Sequence, residues 1–141
     1  MLRVCWDTNP FIYLLESNAL FLDRVRYLWQ QHALQGDDLC ASQLVLGELM
    51  VGPRTVGNHG LAEIHRDYLL DSGVRILTFD MVATDTYSKL RAASRVSTPD
   101  AINLACAAAE GVDLFITNDK DLPKLTVPGI GKIVGLYTDL I

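Results

Sequence analysis

Short apolar runs alternate along the chain with longer stretches in which apolar positions recur every three or four residues. The runs at residues 2–6, 39–41, 74–79, 114–117 and 133–136 are apolar nearly throughout and predict buried strands. Thr8 or Asn9 opens a helix over residues 10–16, with Pro10 near its first position. Ser17 or Asn18 starts a second helix, in which Phe21, Val25, Leu28, Trp29 and His32 share one face of a 3.6-residue period. Ser42 caps a third, running to about Val51. Leu61, Ile64, His65, Tyr68 and Leu69 repeat the helical stripe, and residues 81–93 and 99–110 are expected to be helical. Between Val51 and Leu61, the stretch 52–60 carries three glycines and Pro53 and is expected to be a surface loop. Strands alternating with helices predict an α/β fold with a parallel sheet covered on both faces. Such sheets bind ligands beyond the carboxyl ends of their strands.

Composition narrows the classes. The chain has 141 residues, 50% hydrophobic and 21% charged, which fits a single globular domain over 1–141 with a substantial core. No apolar run approaches the roughly 18–20 residues of a membrane helix. Asp7 interrupts the N-terminal run too early for a secretory signal. Cys5, Cys40 and Cys106 lie in apolar stretches without C-x-x-C spacing and are expected to be free, buried thiols in a reducing cytoplasm. His32, His59 and His65 lack metal-ligand spacing, and there is no GxxxxGK[ST] phosphate loop. The formal net charge of −5 argues against binding nucleic acid through a broad basic surface.

The acids are not scattered, however. Asp7 directly follows the first run and Asp119 follows Leu114-Phe115-Ile116-Thr117-Asn118, so both are expected at the carboxyl edge of the sheet. Asp100 sits in the first turn of a helix, behind Thr98 as N-cap and Pro99, where the helix dipole favours a carboxylate. Helix capping alone accounts for each of these three acids. Glu48 is less ordinary, because its neighbours Leu44, Val45, Leu46, Leu49, Met50 and Val51 are all apolar. Carboxylates are hard oxygen ligands suited to Mg²⁺ or Mn²⁺. Brought together without a cation, they raise one another's pKa values.

These residues carry a resemblance. Asp7-Thr8-Asn9, then Ser42…Glu48-Leu49…Gly52, then Thr98-Pro99-Asp100-Ala101-Ile102-Asn103-Leu104-Ala105, then Phe115-Ile116-Thr117-Asn118-Asp119 stand in the order seen in PIN-domain ribonucleases of the VapC toxin type. Their acids are separated by 41, 52 and 19 residues. The resemblance spans nearly the whole chain. It implies a three-layer α/β/α sandwich on a mainly parallel five-stranded sheet. Asp7, Glu48, Asp100 and Asp119 would be the catalytic residues and the ligands of one or two Mg²⁺ or Mn²⁺ ions, supported by Thr8, Asn9 and Thr117. Asp121 stands near enough to replace Asp119, which matches the Thr-x-Asp pattern better. The implied reaction is hydrolysis of RNA phosphodiester bonds by metal-activated water. Read from the sequence rather than the resemblance, Arg54, Arg66, Arg91 and Arg95 are the candidate substrate-binding set, with Arg91 and Arg95 four apart just before Asp100. The implied partners are a protein antitoxin, as in type II toxin–antitoxin pairs, and a second copy in a homodimer, with Tyr13, Leu14, Phe21 and Trp29 available for such contacts or for the core. One departure stands out: members with this version of the third block often carry His three residues after the Asp, where this chain has Asn103.

Two other classes fit some of the residues. A non-catalytic, flavodoxin-like binding or regulatory module would use the acids only as caps. A haloacid-dehalogenase-like phosphatase also places Asp after its first strand but wants a second Asp where Asn9 stands. With the four pocket acids set aside, 13 acids face 12 bases, so the acidic balance no longer opposes an RNA substrate.

Overall fold

All five apolar runs become strands of one sheet. A computed structural model describes residues 1–138. The strands are Arg3–Trp6 (β1), Asp38–Ser42 (β2), Arg75–Leu77 (β3), Leu114–Thr117 (β4) and Lys132–Gly135 (β5). Their order is β3-β2-β1-β4-β5, and every neighbouring pair is parallel, with Cys5 opposite Cys40 and Trp6 opposite Ile116. The sheet grows one way from β1 through β2 and β3, and the other way through β4 and β5. The β1–β4 boundary is therefore the topological switch point, where a crevice opens past the carboxyl ends of the strands.

Among the described residues, six α-helices cover the two faces: Thr8–Leu15 (α1), Leu22–Gln35 (α2), Gln43–Thr55 (α3), His59–Asp71 (α4), Met81–Ala93 (α5) and Thr98–Glu110 (α6). Strand side chains alternate between two cores. Val4, Trp6, Ala41, Ile116 and Val134 face the core of α1–α4, where Phe11, Val25, Leu28, Val45, Leu49 and Leu69 are buried. Cys5, Cys40, Phe115 and Ile133 face Ala83, Leu104, Ala105 and Ala107 of α5 and α6. The architecture is a three-layer α/β/α sandwich with a wholly parallel five-stranded sheet. Cys5, Cys40 and Cys106 are free and buried as expected. Burial raises all three thiol pKa values, Cys40 and Cys106 to about 11. No helix among the described residues is long and apolar enough to cross a membrane.

Several element boundaries differ from expectation. The 52–60 loop is mostly helix: α3 continues through Pro53, which is buried, and ends at Thr55 with Val56 as its C-cap. Gly57 takes φ +75°, and the N–H groups of Gly57 and Asn58 close onto the carbonyls of Arg54 and Pro53. Asn58 then caps α4 through Leu61 N–H. The second helix starts at Leu22, because Asn18 Oδ1 is engaged by the N–H groups of Leu20 and Phe21 in a preceding turn. Ser97, not Thr98, caps α6, and Asp7 itself caps α1. Tyr13, Leu14, Phe21 and Trp29 are partly buried and pack against the core, with Tyr13 stacked on Phe21 at 4.6 Å.

A buried polar chain links Trp6, at the carboxyl end of β1, to Leu2, just before its amino end. Trp6 Nε1 donates to His32 Nε2 (3.1 Å), His32 Nδ1 pairs with Asp37 Oδ2 (3.0 Å), and Asp37 Oδ1 accepts the Leu2 N–H. The indole has only a donor, so Nε2 is unprotonated and Nδ1 carries the hydrogen. Burial lowers the His32 pKa, opposed by Asp37, and the ring is neutral.

Candidate functional site

Parallel pairing sets the site. The Asp7 N–H extends the β1–β4 ladder to the Ile116 carbonyl (2.9 Å), which brings the Asp7 side chain beside Thr117 at the end of β4. Thr117 Oγ1 donates to Asp7 Oδ2 (2.8 Å) and accepts the Asp119 N–H (3.0 Å). Asp7 Oδ1 accepts the Thr8 N–H (2.9 Å), starting α1, and Asn103 Nδ2 (3.1 Å) from α6. Three donors thus hold one carboxylate that is only 7% exposed. Burial nevertheless raises the Asp7 pKa; the hydrogen bonds from Thr117, Thr8 and Asn103 oppose that rise and the negative charge of Asp100 adds to it.

Glu48 reaches the same place from α3. Val45, Leu49 and Pro53 face the core, and Glu48, between them in sequence, is half-buried with Oε1 accepting the Thr8 hydroxyl (2.5 Å). Asp100 stands in the first turn of α6, its N–H bonded to Ser97 Oγ (3.4 Å). Its pKa is also raised, chiefly by burial and further by Asp119.

These side chains line two adjoining cavities. Asp7, Glu48 and Asp100 share one of about 300 Å³ with Thr8, Asn9 and Asn103. Asp100 also borders a second, of about 440 Å³, with Asp119, Asp121 and Arg95. Asp7, Glu48 and Asp100 are therefore brought together, and Asp119 joins them across Asp100. Asp119 Oδ1 accepts the N–H groups of Asp121 and Leu122, heading a short 3₁₀ turn over Leu122–Lys124. Asp121, on the same cavity, accepts from Lys124 Nζ (3.0 Å). Arg91 and Arg95 do not share a helix face, because α5 ends at Ala93 and Ser94 is extended. Arg91 donates to Thr98 Oγ1, whereas Arg95 lines the second cavity.

Sequence reasoning missed the role of Ser42 and left that of Asn103 open. Ser42 occupies the N-cap position of α3 without capping it; its hydroxyl donates to Asn103 Oδ1. Asn103 is 2% exposed. Its one sequence signal is an amide in the otherwise apolar run 101–109.

The donor set fits a hard divalent cation. Asp7 and Asp100 both carry raised pKa values, chiefly through burial, with the charge of Asp100 adding at Asp7 and that of Asp119 adding at Asp100, a repulsion that a cation relieves. Among the described residues, no three His, Cys, Asp or Glu side chains stand close enough together to hold a metal ion between them. Mg²⁺ itself keeps several of its waters and takes only one or two carboxylates.

The same architecture recurs in solved structures. VapBC2 from Rickettsia felis, bound to a DNA fragment from their promoter, superposes with a TM-score of 0.77 at 19% identity, covering 95% of this chain and 98% of that one. VapBC-5 from Mycobacterium tuberculosis, a member of the VapBC family of toxin-antitoxin systems, gives 0.64 at 22%, covering 96% and 99%. VapC20 from Mycobacterium tuberculosis, a sarcin-ricin loop cleaving toxin, gives 0.67 at 20%, covering 84% and 91%. A search of curated proteins by sequence returns no match. At these identities the structures speak for the fold. The sequence itself matches the model of the PIN domain over residues 4–127, from β1 past the acid that follows β4, and the chain belongs to the PIN domain family.

Proposed function

We propose that the chain is a divalent-metal-dependent endoribonuclease, acting in the cytoplasm as the toxin of a type II toxin–antitoxin pair. The observation that carries the chemistry is the convergence of Asp7, Glu48 and Asp100 on one cavity at the switch point, with Asp119 across Asp100. Family membership supports the reading, as does the sarcin-ricin loop cleavage ascribed to VapC20. The antitoxin partner rests on the toxin-antitoxin assembly of VapBC-5, and a homodimer is part of the same proposal.

Asp7, Glu48, Asp100 and Asp119 are the residues that would hold one or two Mg²⁺ or Mn²⁺ ions. Such an ion acidifies water and stabilises negative charge on phosphodiester oxygens. The protein's own part is orientation. Thr117, Asn103 and the Thr8 N–H hold Asp7 in one rotamer, and Thr8 holds Glu48. Asn9 borders the cavity mouth, and Arg95 offers a cation to a neighbouring phosphate.

The test is incubation of total RNA with the protein in Mn²⁺ or in EDTA, with cut sites mapped and Asp7→Asn as control. Cleavage confined to the wild type with Mn²⁺ is expected. Cleavage that persists in EDTA or in Asp7→Asn sinks the proposal.

A further inference from the structure

We infer that Ser42 and Asn103 form a positioning relay that fixes Asp7 and sets the affinity of the acidic cavity for its first divalent cation. The inference rests on the metal-site reading above and concerns two residues that touch no substrate in it.

Donor and acceptor chemistry dictates the relay. An ionised carboxylate only accepts, so the Asn103 amide must turn its NH₂ toward Asp7 Oδ1 (3.1 Å). Its carbonyl oxygen then faces Ser42, whose hydroxyl has to donate to it. Ser42 is fully buried, and in pointing at Asn103 it leaves α3 without a side-chain cap, a concession only a second role explains. Ser42 therefore selects the orientation of the Asn103 amide, and the amide selects the orientation of Asp7.

The relay also reaches the second acid of the cavity. Asn103 Nδ2 lies 3.4 Å from Thr8 Oγ1, and that hydroxyl donates to Glu48. One neutral amide from α6 thus braces ligands on the β1–α1 junction and on α3. With the three donors in place, about three of the four lone-pair positions of Asp7 are occupied, and the remaining one lies on Oδ2. A carboxylate so constrained offers a cation a single direction. The amide does this without charge, whereas a protonated histidine at position 103 would compete with the cation it helps to bind.

Outer partners of metal ligands are worth about 10–100-fold in affinity. The experiment is titration of the full chain with Mn²⁺ alone at pH 7 by isothermal calorimetry, for wild type, Ser42→Ala, Asn103→Ala and the double variant. Asn103→Ala is expected to weaken Mn²⁺ binding about 10-fold, and Ser42→Ala to weaken it as well, by less. The double variant should bind no more weakly than Asn103→Ala, because Ser42 acts only through Asn103. Losses that multiply in the double variant overturn the relay, and so does unchanged Mn²⁺ affinity in both single variants. If Asn103→Ala does not fold, Ser42→Ala decides alone: weakened Mn²⁺ binding with an unaltered far-UV spectrum supports the relay, and wild-type affinity overturns it. A wild type that binds no Mn²⁺ refutes the metal-site reading itself, an outcome distinct from wild-type binding that the variants leave untouched.

Discussion

The Thr8 hydroxyl donates to Glu48 Oε1 across 2.5 Å, joining residues 40 apart in sequence and tying the first turn of α1 to the middle of α3. Thr8 is buried, and Glu48 has one face on the cavity. A hydrogen bond to a charged acceptor contributes roughly 1.5–3 kcal/mol, and here it fixes the direction of a proposed ligand. Thr8→Val keeps the shape and removes the donor. We expect it to weaken Mn²⁺ binding about 10-fold, while Thr8→Ser stays within a few-fold of wild type. Calorimetric titration of both variants checks this; equal affinity of Thr8→Val and wild type would show that Glu48 needs no such brace.

Metal-free protein should be strained by its own carboxylates. Burial and Asp119 raise the Asp100 pKa above its ordinary 3.8, and Asp100 in turn adds to the rise at Asp7. A raised carboxyl pKa means that the native state holds more protons than the unfolded chain between 3.8 and the native value. Stability therefore falls as pH rises through that window, and the penalty is complete above it. Asp100→Asn cannot ionise and escapes the penalty. In EDTA at pH 7 its Tm should exceed the wild-type value by about 2 °C, and the gap should close toward pH 4 as the wild-type carboxyls protonate. With Mn²⁺ present the order should reverse, because only the wild type gains the full binding free energy. Melting curves at both pH values, with and without Mn²⁺, separate these outcomes.

How much of this was legible in the sequence depended on whether one segment or several decided the outcome. Strands such as 114–117 were plain because each is apolar on both faces, which only a covered parallel sheet requires. Asp7, Asp119 and Asp100 were visible through their places after strands and at a helix mouth, and Glu48 through its apolar neighbours; parallel pairing then brings Asp7 beside Thr117. The 52–60 stretch misled because Gly52 and Pro53 signal a break locally, while burial of Pro53 keeps the last turn of α3 intact. Ser42 looked like an ordinary cap. Its hydroxyl turns instead to an amide 61 residues away, a choice that α3 alone does not reveal. The i, i+4 spacing of Arg91 and Arg95 assumed a helix that Ser94 ends, its hydroxyl folding back onto the Leu90 carbonyl.

The Trp6–His32–Asp37 chain predicts acid sensitivity away from the cavity. The ordinary histidine value is 6.5, and burial holds His32 below it, so below that pH the unfolded chain binds a proton that the native state refuses. Stability is then full above pH 6.5 and falls as pH drops toward the native value. This loss is read between pH 7.5 and 5.5, on either side of the ordinary histidine value. His32→Gln keeps an oxygen for the Trp6 N–H and cannot be protonated. Its urea-unfolding free energy should vary less over the same range than that of wild type. Parallel slopes for the two proteins would locate the acid-sensitive group elsewhere.

Arg91 and Arg95 should separate in their effects, because the structure gives them different partners. Arg91 donates to Thr98 Oγ1 and so braces the connection between α5 and α6. Arg95 lines the cavity shared by Asp100 and Asp119, where a bound RNA strand would bring phosphates beside the cut bond. Each phosphate neutralised by a cation releases counterions, giving a salt dependence of about 0.7 per contact on single strands. Arg95→Ala should therefore raise KM for RNA several-fold, leave kcat near wild type, and reduce the slope of log KM against log salt by about 0.7. Arg91→Ala should leave that slope unchanged and lower Tm by about 1–3 °C through its lost contact. Steady-state cleavage of a fluorescent single-stranded RNA at four salt concentrations measures both. A salt slope that Arg95→Ala leaves intact would remove Arg95 from the path of the RNA backbone, and a slope that moves with Arg91→Ala would put Arg91 there in its place.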